Sequence, residues 1–136
     1  MAGLSELELF SIVKRVYPDL EQSPDLFSSY DCFSESQKIY IELKCRRKHY
    51  DTLIIERLKY DRLYESAFAR GMRPVYICST PEGIWKFDLP GIQINWKIEE
   101  MPATTDFENN EKVMKVIGYL PVSTGVKLPE KFLLGI

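Results

Sequence analysis

Between Tyr30 and Lys44 the chain reads Tyr-Asp-Cys-Phe-Ser-Glu-Ser-Gln-Lys-Ile-Tyr-Ile-Glu-Leu-Lys. Two strand-like runs flank a polar turn, the pattern of a tight hairpin. A turn centred between Ser36 and Gln37 sets Asp31 directly opposite Glu42. Directly opposed residues hold their Cβ atoms ~4.5–5.5 Å apart. Two carboxylates at that spacing repel each other unless a cation lies between them or one keeps its proton. Side chains alternate along a strand, so Glu42 and Lys44 share one face. Ile39, Ile41 and Leu43 point the other way, into a core. The arrangement is that of a divalent metal site with an ammonium group beside it, which is equipment for phosphodiester hydrolysis.

The chain has 136 residues, 45% of them apolar. That length predicts one domain, 1–136, able to bury a real core. No apolar run approaches the ~20 residues a membrane span needs. Met1 to Glu6 lacks the basic and apolar regions of a signal peptide. Cys32, Cys45 and Cys78 are odd in number and form no Cys-x-x-Cys pair, which favours a cytoplasmic protein with reduced thiols over a disulfide framework or zinc site. The three thiols read as small strand residues. Net charge is −2, but its distribution is uneven. Residues 1–36 carry two basic and seven acidic side chains, and residues 37–73 carry ten and five. Lys44, Arg46, Arg47, Lys48, Arg57, Lys59, Arg62, Arg70 and Arg73 gather just after the hairpin. They form either a surface for a phosphate backbone or a solvated helix face.

Leu4 to Tyr17 carries helical spacing, with Ser5 as N-cap and Glu8 completing a capping box. Pro18 ends it, and residues 18–26 are expected as loop. Strands are expected from Phe27 to Ser34 and from Lys38 to Cys45. A long helix is expected from Asp51 to Arg70, with Leu53, Tyr60, Leu63, Tyr64 and Ala67 as its apolar arc and Gly71 at its end. Further strands follow at Pro74–Ser79, Ile84–Leu89 and Ile92–Ile98, separated by turns at residues 80–83 and 90–91. Met101 to Asn110 reads as loop. Lys112 to Leu120 fits helix by spacing and strand by β-branched content. The tail from Pro121 reads as largely irregular. The expected fold class is α/β, one mixed central sheet flanked by helices, with an extra C-terminal region from about residue 90.

Glu42-Leu43-Lys44 on a buried strand, an acid eleven residues upstream across a turn, and a basic helix afterwards resemble the PD-(D/E)XK phosphodiesterase superfamily of restriction-type and repair nucleases. The resemblance covers roughly residues 5–79. It implies a restriction endonuclease-like αβββαβ core and a Mg²⁺ (or Mn²⁺) site. Asp31 and Glu42 then take the metal-binding acids, with the Leu43 carbonyl as a further ligand, and Lys44 takes the catalytic lysine. Members such as phage junction-resolving endonucleases add a glutamate from the first helix, a role that falls to Glu6, or alternatively Glu8. Tyr30 stands where the family has proline. Literal Pro-Asp pairs occur at Pro24-Asp25 and Pro18-Asp19, and Asp25 is the alternative to Asp31. Glu56-Arg57-Leu58-Lys59-Tyr60 is similar to the Gln-x-x-x-Tyr element of recombination-type exonucleases, with Glu in place of Gln. This gives Glu56 and Tyr60 supporting roles, against a plain glutamate paired with Lys59 or Arg62.

Arg46, Arg47, Lys48 and Lys59 are the candidate nucleic-acid contacts. His49, the one histidine, is either a phosphate contact or an unremarkable residue leading into the helix. Trp85 and Trp96 read as core. The expected activity is hydrolysis of a nucleic acid, with DNA favoured, and the family resemblance implies in-line attack leaving a 5′-phosphate and a 3′-hydroxyl. A homodimer is compatible with cutting two strands. The rival readings are a non-catalytic nucleic-acid-binding subunit on the same fold and a phage or mobile-element protein that binds protein partners.

Overall fold

The computed structural model describes residues 3–24, 31–103 and 111–135. Helix α1 spans Glu6–Val16. The Ser5 hydroxyl accepts from the Glu8 N–H at 3.1 Å while the Glu8 carboxylate accepts from the Ser5 N–H at 3.0 Å. The reciprocal box satisfies two donors that a helix start otherwise leaves open. Leu9, Ile12 and Val13 lie on the buried face of α1.

Strands β1 (Glu21–Gln22), β2 (Asp31–Ser34) and β3 (Ile39–Cys45) run antiparallel in that order. β1 falls where a loop is expected. The hairpin of β2 and β3 pairs Asp31 with Glu42, Cys32 with Ile41, Phe33 with Tyr40 and Ser34 with Ile39, the register the turn chemistry predicts. Asp19 pins the turn from outside. Its carboxylate accepts from the Ser34 hydroxyl at 2.7 Å and the Ser36 N–H at 2.9 Å. The Ser36 N–H and then the Ser34 hydroxyl hold the Asp19 carboxyl below its ordinary range.

The largest departure from expectation comes next. Thr52–Glu56 is a strand, β4, and α2 begins only at Arg57, running to Ala69. Gly71 follows with φ 66°, the left-handed conformation that glycine adopts cheaply after a helix. β5 (Arg73–Thr80) then pairs parallel with β3, and β6 (Gly83–Asp88) pairs antiparallel with β5. A parallel neighbour requires a crossover connection, which β4 and α2 supply.

β7 (Asn95–Pro102) and β8 (Lys112–Pro121) form a second hairpin. β7 continues past the expected loop start at Met101, and β8 resolves the ambiguity at 112–120 in favour of strand. β9 (Val126–Lys127) pairs with β6. The described residues therefore form two sheets where one is expected. One is six-stranded and mixed, in the order β1-β2-β3-β5-β6-β9, and the other is three-stranded, in the order β4-β8-β7.

Two cores lie on either side of the large sheet. α1 covers one with Leu9, Ile12 and Val13 against Ile39, Ile41, Leu43, Val75, Ile77 and Ile84. Each such side chain contributes about 1.5–3 kcal/mol by leaving water. α2 and the small sheet cover the other, with Leu63, Ala67, Leu53, Ile55 and Leu120 against Tyr40, Tyr76 and Phe87. β3 is thus buried on both faces, as its run of apolar residues requires. Among the described residues no helix is long and apolar enough to cross a membrane.

Gly118 lies in β8 between Ile55 and Trp96. A Cβ added there would meet the Trp96 ring at 2.8 Å. Trp96 is itself wedged against Tyr60, with ring centroids 4.9 Å apart, and beneath the Arg57 guanidinium at 4.6 Å. Gly118→Ala should therefore destabilise the fold by about 1–3 kcal/mol, read as a lower denaturation midpoint in urea.

Candidate active site

The hairpin register brings two acids together. Asp31 and Glu42 are direct cross-strand partners, and the strand period sets Lys44 on the same side of β3. This is the side of Phe33 and Tyr40, which α2 and the small sheet cover. One Glu42 oxygen, Oε2, is buried and accepts no hydrogen bond among the described residues. A buried, unpaired carboxylate oxygen is costly as an anion. Burial, and then the Asp31 charge, push the Glu42 carboxyl up to about 7, against the smaller opposing pull of Lys59 and Lys44. Lys44 is pressed the other way. Burial, then the Lys59 and Arg46 charges, lower it, with Glu42 and Glu6 countering.

The remaining candidates take up varied positions. Glu6 is half-buried at the start of α1 and its charge reaches Lys44. Glu8 is committed to the helix cap. Among the described residues no group of three or more His, Cys, Asp or Glu side chains is placed to hold a metal ion. Asp19 is held at the opposite end of the hairpin, at its turn. Asp25, the other Pro-Asp acid, and Tyr30 lie outside the described residues.

Glu56 ends β4 instead of lying on a helical arc, because 52–56 is extended. It pairs with Lys115 at 2.8 Å. Burial works against its ionisation, but the Lys115 hydrogen bond and charge, with Lys59 and Lys44, keep its carboxyl below the ordinary range. Tyr60 packs on Tyr64 and Trp96, with ring centroids 4.6 and 4.9 Å away. Lys115 is the residue that sequence reasoning missed. It lies on β8 and reaches the site region through the small sheet, and no local pattern announces that contact.

Several members of the basic cluster make contacts within the chain. The Arg46 guanidinium donates to the Ile54 carbonyl at 2.9 Å. It also lines a pocket of about 470 Å³ with Tyr50, Asp51, Thr52, Leu53 and Ile54, and neither acid of the pair is among these residues. Arg57 pairs with Asp61, and Arg73 holds Asp88 through two hydrogen bonds. Arg70 stacks on Phe33 at 4.3 Å. Arg47 and Lys48 are exposed beyond β3, and Lys59 is half-buried in the first turn of α2.

His49 Nδ1 lies 2.9 Å from the Thr80 hydroxyl and its ring packs on Trp85, a structural seat. Burial pushes the Cys32 thiol up to about 12 and the Cys78 thiol to about 11, so neither is a nucleophile at neutral pH. Trp85 is buried and Trp96 packs at the edge of the same core.

The acid pair fits a hard divalent ion. Mg²⁺ keeps several waters and takes one or two carboxylates plus substrate phosphate oxygens. Two adjacent carboxylates, one with an unsatisfied buried oxygen, meet that demand, and the absence of a His or Cys among them disfavours zinc. No family model, curated protein or solved structure matches this chain.

Proposed function

We propose that the protein is a metal-dependent nuclease that hydrolyses phosphodiester bonds, with DNA as its substrate. The observation that carries this reading is the Asp31–Glu42 pair, in direct register beside Lys44, with a buried Glu42 oxygen lacking a partner. The order of elements supports it. α1, β1, β2, β3, α2 and β5 follow the helix, three strands, helix, strand sequence of the PD-(D/E)XK core, with β4 inserted before the second helix.

Mg²⁺ or Mn²⁺ would be held by Asp31 and Glu42, with the Leu43 carbonyl as the further oxygen the family pattern implies. When bound, the ion neutralises charge on the scissile phosphate and acidifies water. Lys44 orients the attacking water and meets negative charge developing on the phosphoryl group. Its half-buried position strengthens that interaction over what water would allow. Lys59, Arg47 and Lys48 supply the positive surface that holds the phosphate backbone. Glu56, neutralised by Lys115, orders the rim of the site.

A pH dependence follows from the Glu42 environment. Near pH 6 its carboxyl carries a proton, so an entering ion must displace it. Mn²⁺ affinity should rise by about tenfold per pH unit below 7 and level off above it. Calorimetry in buffers of different ionisation enthalpy should show one proton released per ion at pH 6 and almost none at pH 8.5. The functional test is cleavage of duplex and branched DNA with Mg²⁺. Cleavage that chelation stops supports the reading. DNA binding without cleavage under every metal condition would favour a non-catalytic binding subunit.

A further inference from the structure

The small sheet ends in an open edge. Among the described residues β7 is paired on one side only, by β8. An open edge bearing apolar side chains is a template for pairing with another chain. Among the described residues of this hairpin, the large apolar side chains Ile98, Met114 and Val116 are exposed at 68%, 65% and 38%. Ile98 and Val116 are direct cross-strand partners, so they make a short apolar row running toward the edge.

The flanking charges are self-complementary. We propose that the β7 edge binds a second copy of this chain, antiparallel and centred on Ile98. In that register Ile98 meets its own counterpart, and the apolar row extends as Val116, Ile98, Ile98 and Val116 across four strands. Lys97 lies opposite Glu99 of the second copy, and Glu99 opposite its Lys97, giving two ion pairs about the twofold axis. Opposite charges in directly opposed positions stabilise a sheet, and like charges there destabilise it.

Other registers lose these features. Moving the axis by one residue sets Lys97 against Lys97 or Glu99 against Glu99. Moving it by half a residue turns the two apolar rows onto opposite faces. Pro102, which has no N–H to donate, bounds the paired stretch to residues 95–101. Within one chain, Lys97 lies 5.6 Å from the Tyr119 ring and Glu99 accepts from the Tyr119 hydroxyl. Tyr119 thus holds both charges on one face, poised for the partner. A symmetric pair uses the same patch on both subunits, which this edge provides.

Sedimentation velocity over a concentration series tests the proposal, and it does so independently of nuclease activity. The parent protein should dimerise. Lys97→Glu alone and Glu99→Lys alone should each weaken the dimer by about tenfold or more. The two variants mixed should form a heterodimer with near-parental affinity, and the double variant K97E/E99K should recover its own dimer. A parent protein that stays monomeric at its highest soluble concentration overturns the proposal. So does a dimer indifferent to both single reversals, or one that the mixture fails to restore.

Discussion

Glu42→Gln should be more stable than the parent protein at pH 8 and inactive as a nuclease. The two effects share one cause. Glu42 titrates at about 7 in the folded chain against an ordinary value of 4.5, because burial and Asp31 penalise its anion. A folded-state pKa above the unfolded value means the native protein holds its proton more tightly. The resulting stability is complete below pH 4.5 and is lost as pH rises through 7. The gap corresponds to roughly 3 kcal/mol at ~1.4 kcal/mol per pKa unit. A neutral glutamine of the same shape avoids that loss. The melting midpoint should therefore rise by roughly 5–10 °C at pH 8, and hardly at all at pH 5. Cleavage should fall by at least about 10²-fold, since glutamine offers the ion no anionic ligand. A variant that melts below the parent at pH 8 would mean that Glu42 is a satisfied structural group.

Lys44→Ala should lower the cleavage rate by about 10²–10³-fold while leaving Mn²⁺ affinity unchanged or slightly tighter. The ammonium lies on the same face as the acid pair, and its removal takes away a charge that repels an incoming cation. It also removes the group proposed to meet developing negative charge on the phosphate. Lys44→Met separates chemistry from packing, because it keeps the aliphatic stem. Both variants should show the same loss in single-turnover assays at saturating metal. Parental rates from either would remove Lys44 from the mechanism, and a large fall in Mn²⁺ affinity would recast it as a residue that shapes the acid pair.

The features legible in the sequence are those decided locally. The hairpin register follows from turn chemistry and a two-residue period, so the Asp31–Glu42 pairing is readable without any distant contact. α1 is readable because Ser5 and Glu8 mark its start and Pro18 its end. β4 is a different matter. Leu53 and Ile55 alternate inward as strand residues do, but Asp51 imitates a helix cap and the apolar positions run on into α2. What makes 52–56 a strand is β8, more than sixty residues later. The same long-range partner explains the other surprises. Arg46 turns inward because β4 presents the Ile54 carbonyl, and Glu56 is neutralised because β8 presents Lys115. Charge counting cannot foresee that carbonyl.

Whether Asp31 and Glu42 jointly hold a divalent ion beside Lys44 is tested directly by anomalous diffraction from crystals grown with Mn²⁺ above pH 7.5. A manganese peak beside the Asp31 and Glu42 carboxylates is expected, and its loss in Glu42→Gln. Crystals that leave the acid pair without manganese while Glu42 Oε2 stays buried, or that bind the ion elsewhere on the chain, would contradict it.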